Sequence, residues 1–225
     1  MLALGDSDAT GIGDPSGRGW VGRYAGLVHS KLGRDVEVEV DNRAAEGETS
    51  DQLSEEIAQD QALRDAITDA DVVLIGIGGA DLNAGDSALD AGQCSGRSCY
   101  RAILKHFGEN MAAITKTVRR LDPTALVRAM SLPNAYPGAG SAIPPFITAD
   151  LSRYESITER DTVCRVMQDN GGRCVDVVRA FNGNTANDDA YRAGLMTKDP
   201  CCYPSGDGQQ LIAQLLINVG VDGLS

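Results

Sequence analysis

The chain opens on a short apolar run, residues 1–4, that breaks into Gly5-Asp6-Ser7, with Gly11 and Gly13 close behind. An apolar run ending in a small-residue turn reads as a buried strand that delivers a serine to the edge of a sheet. Trp20, Val21, Tyr24, Leu27, Val28 and Leu32 then recur at helical spacing, and Gly33 is the stop. Residues 36–40 alternate valine with Glu37 and Glu39, the pattern of a strand near a sheet edge. Thr49 or Ser50 is placed to cap a helix over residues 52–70, in two pieces around Gln59-Asp60. Residues 71–77, DVVLIGI, form a β-branched run of the kind found in a central parallel strand buried on both faces. The acidic, glycine-containing stretch 81–96 is expected as a loop beside the site.

In the second half, Ile103, Leu104, Phe107, Met111, Ile114, Val118 and Leu121 fall on one side of a long helix over residues 100–121. A strand over 124–130 follows. Residues 131–146 carry four of the eight prolines and read as a loop lining a pocket at that strand's carboxyl end. A helix over 149–170, a strand over 173–178, a polar irregular stretch over 181–198 and a helix over 209–219 complete the chain. This alternation predicts a single α/β domain over residues 1–225. The expected architecture is a three-layer α/β/α sandwich, five parallel strands between two layers of helices, with right-handed crossovers.

Composition narrows the partners. A hydrophobic content of 42% suffices for a core, and with aromatics at only 4% that core must be aliphatic. A net charge of −12 argues against nucleic acid and anionic membranes, which demand basic patches. No apolar run is long enough to span a membrane. A charged surface of this kind makes a monomer the expected state. The six cysteines lack metal-type spacing, which favours disulfides and an oxidising, secreted or otherwise extracytoplasmic setting, with a targeting segment trimmed from the start. Cys94 and Cys99 are expected to pair around Gly96. Cys201 and Cys202 are each expected to reach back to Cys164 or Cys174, with a Cys164–Cys174 bridge as the alternative. No zinc site, calcium loop or other cofactor is expected; Asp81, Asn83, Asp86 and Asp90 match no calcium-loop spacing. Of the only two histidines, His29 falls away from the apolar stripe of its helix and reads as a solvated surface residue, and His106 flanks its stripe and reads as structural or solvated.

Gly5-Asp6-Ser7, residues 42–47 with Thr49-Ser50-Asp51, VLIGIGGADL at 73–82 and DPCCYPSGDGQQLIA at 199–213 occur in the order of the motif blocks of the SGNH (GDSL) serine hydrolases. The chain resembles that family over nearly its whole length. The resemblance implies the family's flavodoxin-like fold and Ser7 as nucleophile. It implies the amides of Ser7 and Gly47 as oxyanion donors and Asp199 as the acid preceding the base. It places Ala80, Asp81 and Asn83 by the substrate. Two positions depart from the family. Ala80 stands where the family has its oxyanion asparagine, and loss of such a donor costs about 3–4 kcal/mol of transition-state stabilisation. Asn83, three residues on, offers a replacement amide. Tyr203 stands where the family has its histidine, and a phenol with a pKa near 10 in water is a donor, not a base, at neutral pH. Asp6 and Asp8 flank Ser7 and offer carboxylates as weak bases. The resemblance therefore implies either an esterase or lipase-like hydrolase of acyl esters with low or atypical activity, or an inactive relative that binds an acyl, lipid or glycan ligand.

Overall fold

The computed structural model describes residues 1–33 and 35–224. Strand β1 (Leu2–Gly5) runs into a one-turn helix α1 (Ser7–Thr10) and then α2 (Gly19–Leu32). A two-residue strand β2 (Asp41–Asn42), helices α3 (Ser50–Gln59) and α4 (Gln61–Thr68), and β3 (Val72–Gly76) follow. Next come α5 (Gly79–Asp90), α6 (Ser98–Leu121) and β4 (Leu126–Met130). Then α7 (Ala149–Asp169), β5 (Arg173–Val175) and α8 (Val177–Asn182) complete the sheet and its flank. A small hairpin, β6 (Met196–Lys198) and β7 (Cys201–Pro204), leads into α9 (Gly206–Asn218). The sheet has five strands in the order β2-β1-β3-β4-β5, with every adjacent pair parallel.

Alternation along the strands builds both faces of the core. Leu2, Leu4, Val73, Ile75 and Val127 face α3, α4, α6 and α7, meeting Leu53, Ile67, Phe107, Ile114 and Met167. Ala3, Val72, Leu74 and Val175 face the other layer, meeting Trp20, Tyr24, Val28, Phe181, Ile212 and Leu216. Strands covered on both faces read as unbroken apolar runs, which is why β1 and β3 stand out in the sequence.

The caps are local. Thr49 and Gln52 form a reciprocal capping box at α3, Asp60 accepts from Ala62 and Leu63 at α4, and Ser205 accepts from Gly208 at α9. The chain therefore breaks at Asp60, as the pattern over 52–70 predicts.

Several expected elements differ. The edge strand expected at 36–40 lies later, at Asp41–Asn42, because Asp41 and Arg43 donate to the carbonyls of Met1 and Ala3. The expected loop over 81–96 is in its first half the helix α5. The expected strand over 173–178 stops at Val175 and turns into α8, whose amides at Val177 and Val178 donate to the Ser131 hydroxyl. The stretch 181–198 ends in β6, which pairs with β7.

The disulfides also differ in part. Cys94 pairs with Cys99 as expected. Cys164 pairs with Cys174, and Cys201 pairs with its neighbour Cys202, so neither of the last two reaches back. The reason is position. Cys164 on α7 and Cys174 on β5 are 4.8 Å apart at Cα across the turn that joins their elements, while Cys201 and Cys202 border the cavity at the carboxyl ends of the strands.

Candidate active site

The carboxyl ends of β1, β3 and β4 meet at one cavity of about 400 Å³, the edge of an open α/β sheet where ligands bind. A separate hollow of about 280 Å³ lies at the opposite end, between Met1, Val28, Val72 and Leu224.

Gly5 makes the turn into the site possible. Its φ is +137°, and a Cβ there would lie 1.9 Å from the Gly76 carbonyl oxygen. Asp6 follows, fully buried, and binds the end of β3 to the start of α1. Its Oδ2 accepts from the amides of Gly78 at 2.9 Å, Gly79 at 2.8 Å and Ala80 at 3.4 Å. Its Oδ1 accepts from Asp8 at 3.1 Å. Asp6 therefore caps α5 from another element, setting a carboxylate against the positive end of the helix. Ser7 comes next, at the start of α1, and its amide has no protein acceptor among the described residues. The turn after it is held from both sides: Trp20 Nε1 donates to the Asp8 carbonyl at 2.8 Å and Asn42 Nδ2 to that of Ala9 at 2.9 Å.

Ser7, Asn83 and Tyr203 line the cavity together, with Asp8, Asp86, Glu155 and the Cys201–Cys202 pair. Tyr203 is brought there by close packing: a Cβ at Gly13 would lie 2.5 Å from the Pro204 carbonyl and 3.1 Å from the Tyr203 Cβ. Gln209 fixes the same corner, accepting from Trp20 N and donating to the carbonyls of Ile12 and Pro204.

The remaining expected site residues lie outside the lining. Gly47 is exposed in the turn before α3. Ala80 sits in the first turn of α5, its amide directed to Asp6. Asp81 is buried and faces away from Ser7 toward α3, accepting from Ser50 N at 2.9 Å and Ser50 Oγ at 2.6 Å. Asp199 is exposed at the tip of the β6–β7 hairpin. Neither histidine borders the cavity. His29 Nδ1 lies 2.7 Å from the Val36 carbonyl, and His106 Nε2 lies 3.1 Å from Asp51, both on the surface.

The electrostatics of the cavity are one-sided. Among the described residues its lining contains no lysine, arginine or histidine. Burial, then the charge of Asp6, pushes the Asp8 carboxyl up to about 8. Burial also raises Asp6, but four amides oppose it, so of this pair Asp6 keeps the negative charge and Asp8 takes the proton. Burial pushes Glu155 up to about 8, with Asp86 adding to the effect. Glu159, deeper on α7, is raised well above the carboxylate range by burial. Asp86 is raised by burial and accepts from the Tyr100 hydroxyl, which lowers it in part.

Glu155 and Glu159 are the residues that reading the sequence for apolar stripes passes over. The sequence signal was present. Leu151, Glu155, Glu159, Thr162 and Val166 recur at helical spacing, so two carboxyls occupy positions where a core-facing stripe expects leucine.

The chain matches the model of the GDSL-like lipase/acylhydrolase family over residues 3–211. It is 27% identical over 221 residues to the uncharacterized protein YpmR of Bacillus subtilis, covering 95% of this chain and 78% of that protein. Among solved structures it resembles a lipase from a goat rumen metagenome, with a TM-score of 0.79 and 20% identity, covering 97% of this chain and 96% of that one. It also resembles an extracellular lipase from Streptomyces rimosus, with a TM-score of 0.69 and 16% identity, covering 97% and 98% of the two chains.

Proposed function

From the premise that this chain belongs to the GDSL-like lipase/acylhydrolase family, we propose that it is a single-domain, monomeric hydrolase of small acyl esters, working outside the cytoplasm, with Ser7 as nucleophile and Asp8 as its base. The observation that carries the reading is the shared cavity. Ser7, Asp8 and Tyr203 line it, and the Ser7 amide is left open as an oxyanion donor.

An ordinary carboxylate is a poor base for a serine hydroxyl. A carboxyl pushed up to about 8 is far better matched to neutral pH, since a catalytic group works best with its pKa near the operating pH. In the forward step Ser7 Oγ forms a bond to the acyl carbon while its proton passes to the Asp8 carboxylate. The ester carbon–oxygen bond breaks, and the leaving alkoxide takes a proton from the Asp8 carboxylic acid. Water then attacks the acyl-serine, with Asp8 again accepting and returning a proton. The Ser7 amide faces the developing oxyanion, while Gly47, outside the lining, is left without a part in this step. Asn83 supplies the side-chain amide that Ala80 lacks. The Tyr203 hydroxyl donates to the leaving oxygen, and Asp199 stays outside the chemistry. The three disulfides support an oxidising compartment. Among the described residues no helix is long and apolar enough to cross a membrane.

Tyr203 at the histidine position also favours a second reading, in which the cavity binds an acyl, lipid or glycan ligand without cleaving it. Hydrolysis of p-nitrophenyl acetate and butyrate across pH 6 to 10 separates the two. The hydrolase reading expects a rate that climbs through about pH 8, vanishes in Ser7→Ala and falls on the order of 10²-fold or more in Asp8→Asn. A rate unchanged in Ser7→Ala would falsify it. A silent native protein that gains activity as Tyr203→His would instead establish an intact scaffold that has lost its base.

A further inference from the structure

We propose that the end of this cavity formed by α5 and α7 binds an organic ammonium group, so that the ester presented to Ser7 carries a positively charged ammonium on its alcohol. The word ester rests on the hydrolase reading; the ammonium site does not.

Asp86 and Glu155 line this end and Glu159 stands one helical turn further along α7. Glu155 is only 7% exposed, and its Oε1 has no hydrogen-bond partner; the Tyr100 hydroxyl beside it, which lowers its carboxyl in part, donates to Asp86 instead. Glu159 is fully buried; its Oε2 accepts from the Leu132 amide at 3.2 Å, but its Oε1 is also unpartnered. Buried carboxyl oxygens normally find a donor, and two orphans on successive turns of one helix mark a place where a donor or a cation is missing. No protein cation fills it, since no lysine, arginine or histidine borders the cavity. Nor do the carboxyls converge for a metal: among the described residues no three ligating side chains are grouped to hold one. The remaining lining suits a bulky organic cation. The rings of Tyr136 and Tyr203 offer faces that attract ammonium, and Leu132, Ile143 and Ile147 receive its alkyl groups. The chain's net charge of −12 draws cations toward it.

The site carries its own proton signature. The titratable groups facing this end are Asp86 from α5, Tyr100 from α6, Glu155 and Glu159 from α7, and Asp176 from the start of α8. Asp6 and Asp8 face it from the β1–α1 turn, and Tyr136 and Tyr203 from the opposite wall. With Glu155 pushed up to about 8, the empty cavity holds protons at pH 7. A bound ammonium favours the ionised carboxyl, so binding expels protons, and affinity rises from pH 6 to about 8 and then levels.

The test is calorimetric titration of Ser7→Ala protein with choline and with its neutral carbon isostere, dimethylbutanol, in buffers of different ionisation enthalpy. The expected result is choline binding at least tenfold tighter than the isostere, with proton release at pH 7. Glu155→Gln, an isosteric change, is expected to weaken choline tenfold or more while leaving the melting temperature within a few degrees or raising it. Equal affinity for choline and dimethylbutanol overturns the proposal. So does choline affinity unchanged in Glu155→Gln, or equal displacement of choline by sodium or calcium chloride. Choline binding without cleavage of acetylthiocholine by the native protein keeps the ammonium site and removes the hydrolase reading. Cleavage with no preference over the neutral ester does the reverse.

Discussion

Asp6 is where one side chain decides most about the site. Its two oxygens accept four backbone amides from two loops, so it fixes Ser7 relative to α5. Asp6→Asn keeps the shape but offers only one accepting oxygen, and its amide group then faces N–H donors. Hydrogen bonds to charged groups are worth about 1.5–3 kcal/mol, and leaving buried donors unmet costs a similar amount. Asp6→Asn is therefore expected to lower unfolding free energy by about 2–4 kcal/mol in urea titration, with loss of any Ser7-dependent rate. A stability within about 0.5 kcal/mol of the native protein would show that the amides find other acceptors. Ser7 and Tyr203 could be placed together from motif order alone, because a sheet's carboxyl edge gathers loops that are distant in sequence. The burial that raises Asp8 and Glu155 is not a property of their own neighbours in the chain. It arises from α5, α6 and α7 closing over them, so the acidic character of the cavity was not legible.

Helix α5 shows the same limit one level up. Its sequence, GADLNAGDSALD, is rich in residues that favour loops, and propensity alone argues for a loop. Tertiary contacts override it: the Asp6 carboxylate caps its first amides, and Leu82 and Leu89 pack with Tyr100 and Leu104 of α6. Strands β1 and β3 were legible because an apolar run buried on both faces needs no outside help, whereas β2 is set by pairing to β1 and slid past its valines. Gly85 turns this into a prediction whose sign opposes propensity. Glycine to alanine inside a helix normally stabilises by up to about 1 kcal/mol. Here an added Cβ would lie 2.5 Å from Cε1 of Tyr100, a ring with no exposure whose hydroxyl donates to Asp86 and which cannot swing away. Gly85→Ala is expected to destabilise by about 1–3 kcal/mol in chemical denaturation, the usual cost of overpacking. A stabilised variant would mean that α5 is free to shift outward from α6.

Across the whole molecule, the buried carboxyls set how stability follows pH. Asp8, Glu48 and Glu155 are pushed up to about 8, chiefly by burial, and burial also raises Glu159 well above the usual carboxylate range. In the unfolded chain such groups lose their protons near pH 4 to 4.5. Between about pH 5 and 8 the folded protein therefore binds more protons than the unfolded chain, and stability must fall as pH rises through that window. Asp14 acts in the opposite sense. Arg23, with two bonds to it at 2.9 Å, holds its carboxyl well below the usual range, so its contribution is complete above about pH 4 and is lost on further acidification. The two effects place maximum stability near pH 5, on the acid side of neutrality. Growing negative charge deepens the alkaline fall, since the chain already carries −12 at pH 7. Melting curves at constant ionic strength are expected to drop by at least ~5 °C from pH 5 to pH 8.5, equivalent to about 2 kcal/mol in a chain of this size, and to flatten above that. Glu155→Gln should shallow the slope, because it removes one of the protons that the fold retains. A melting temperature that rises from pH 5 to 8 would mean that these carboxyls are ionised in the empty protein, and that the cavity is wetter than its lining implies.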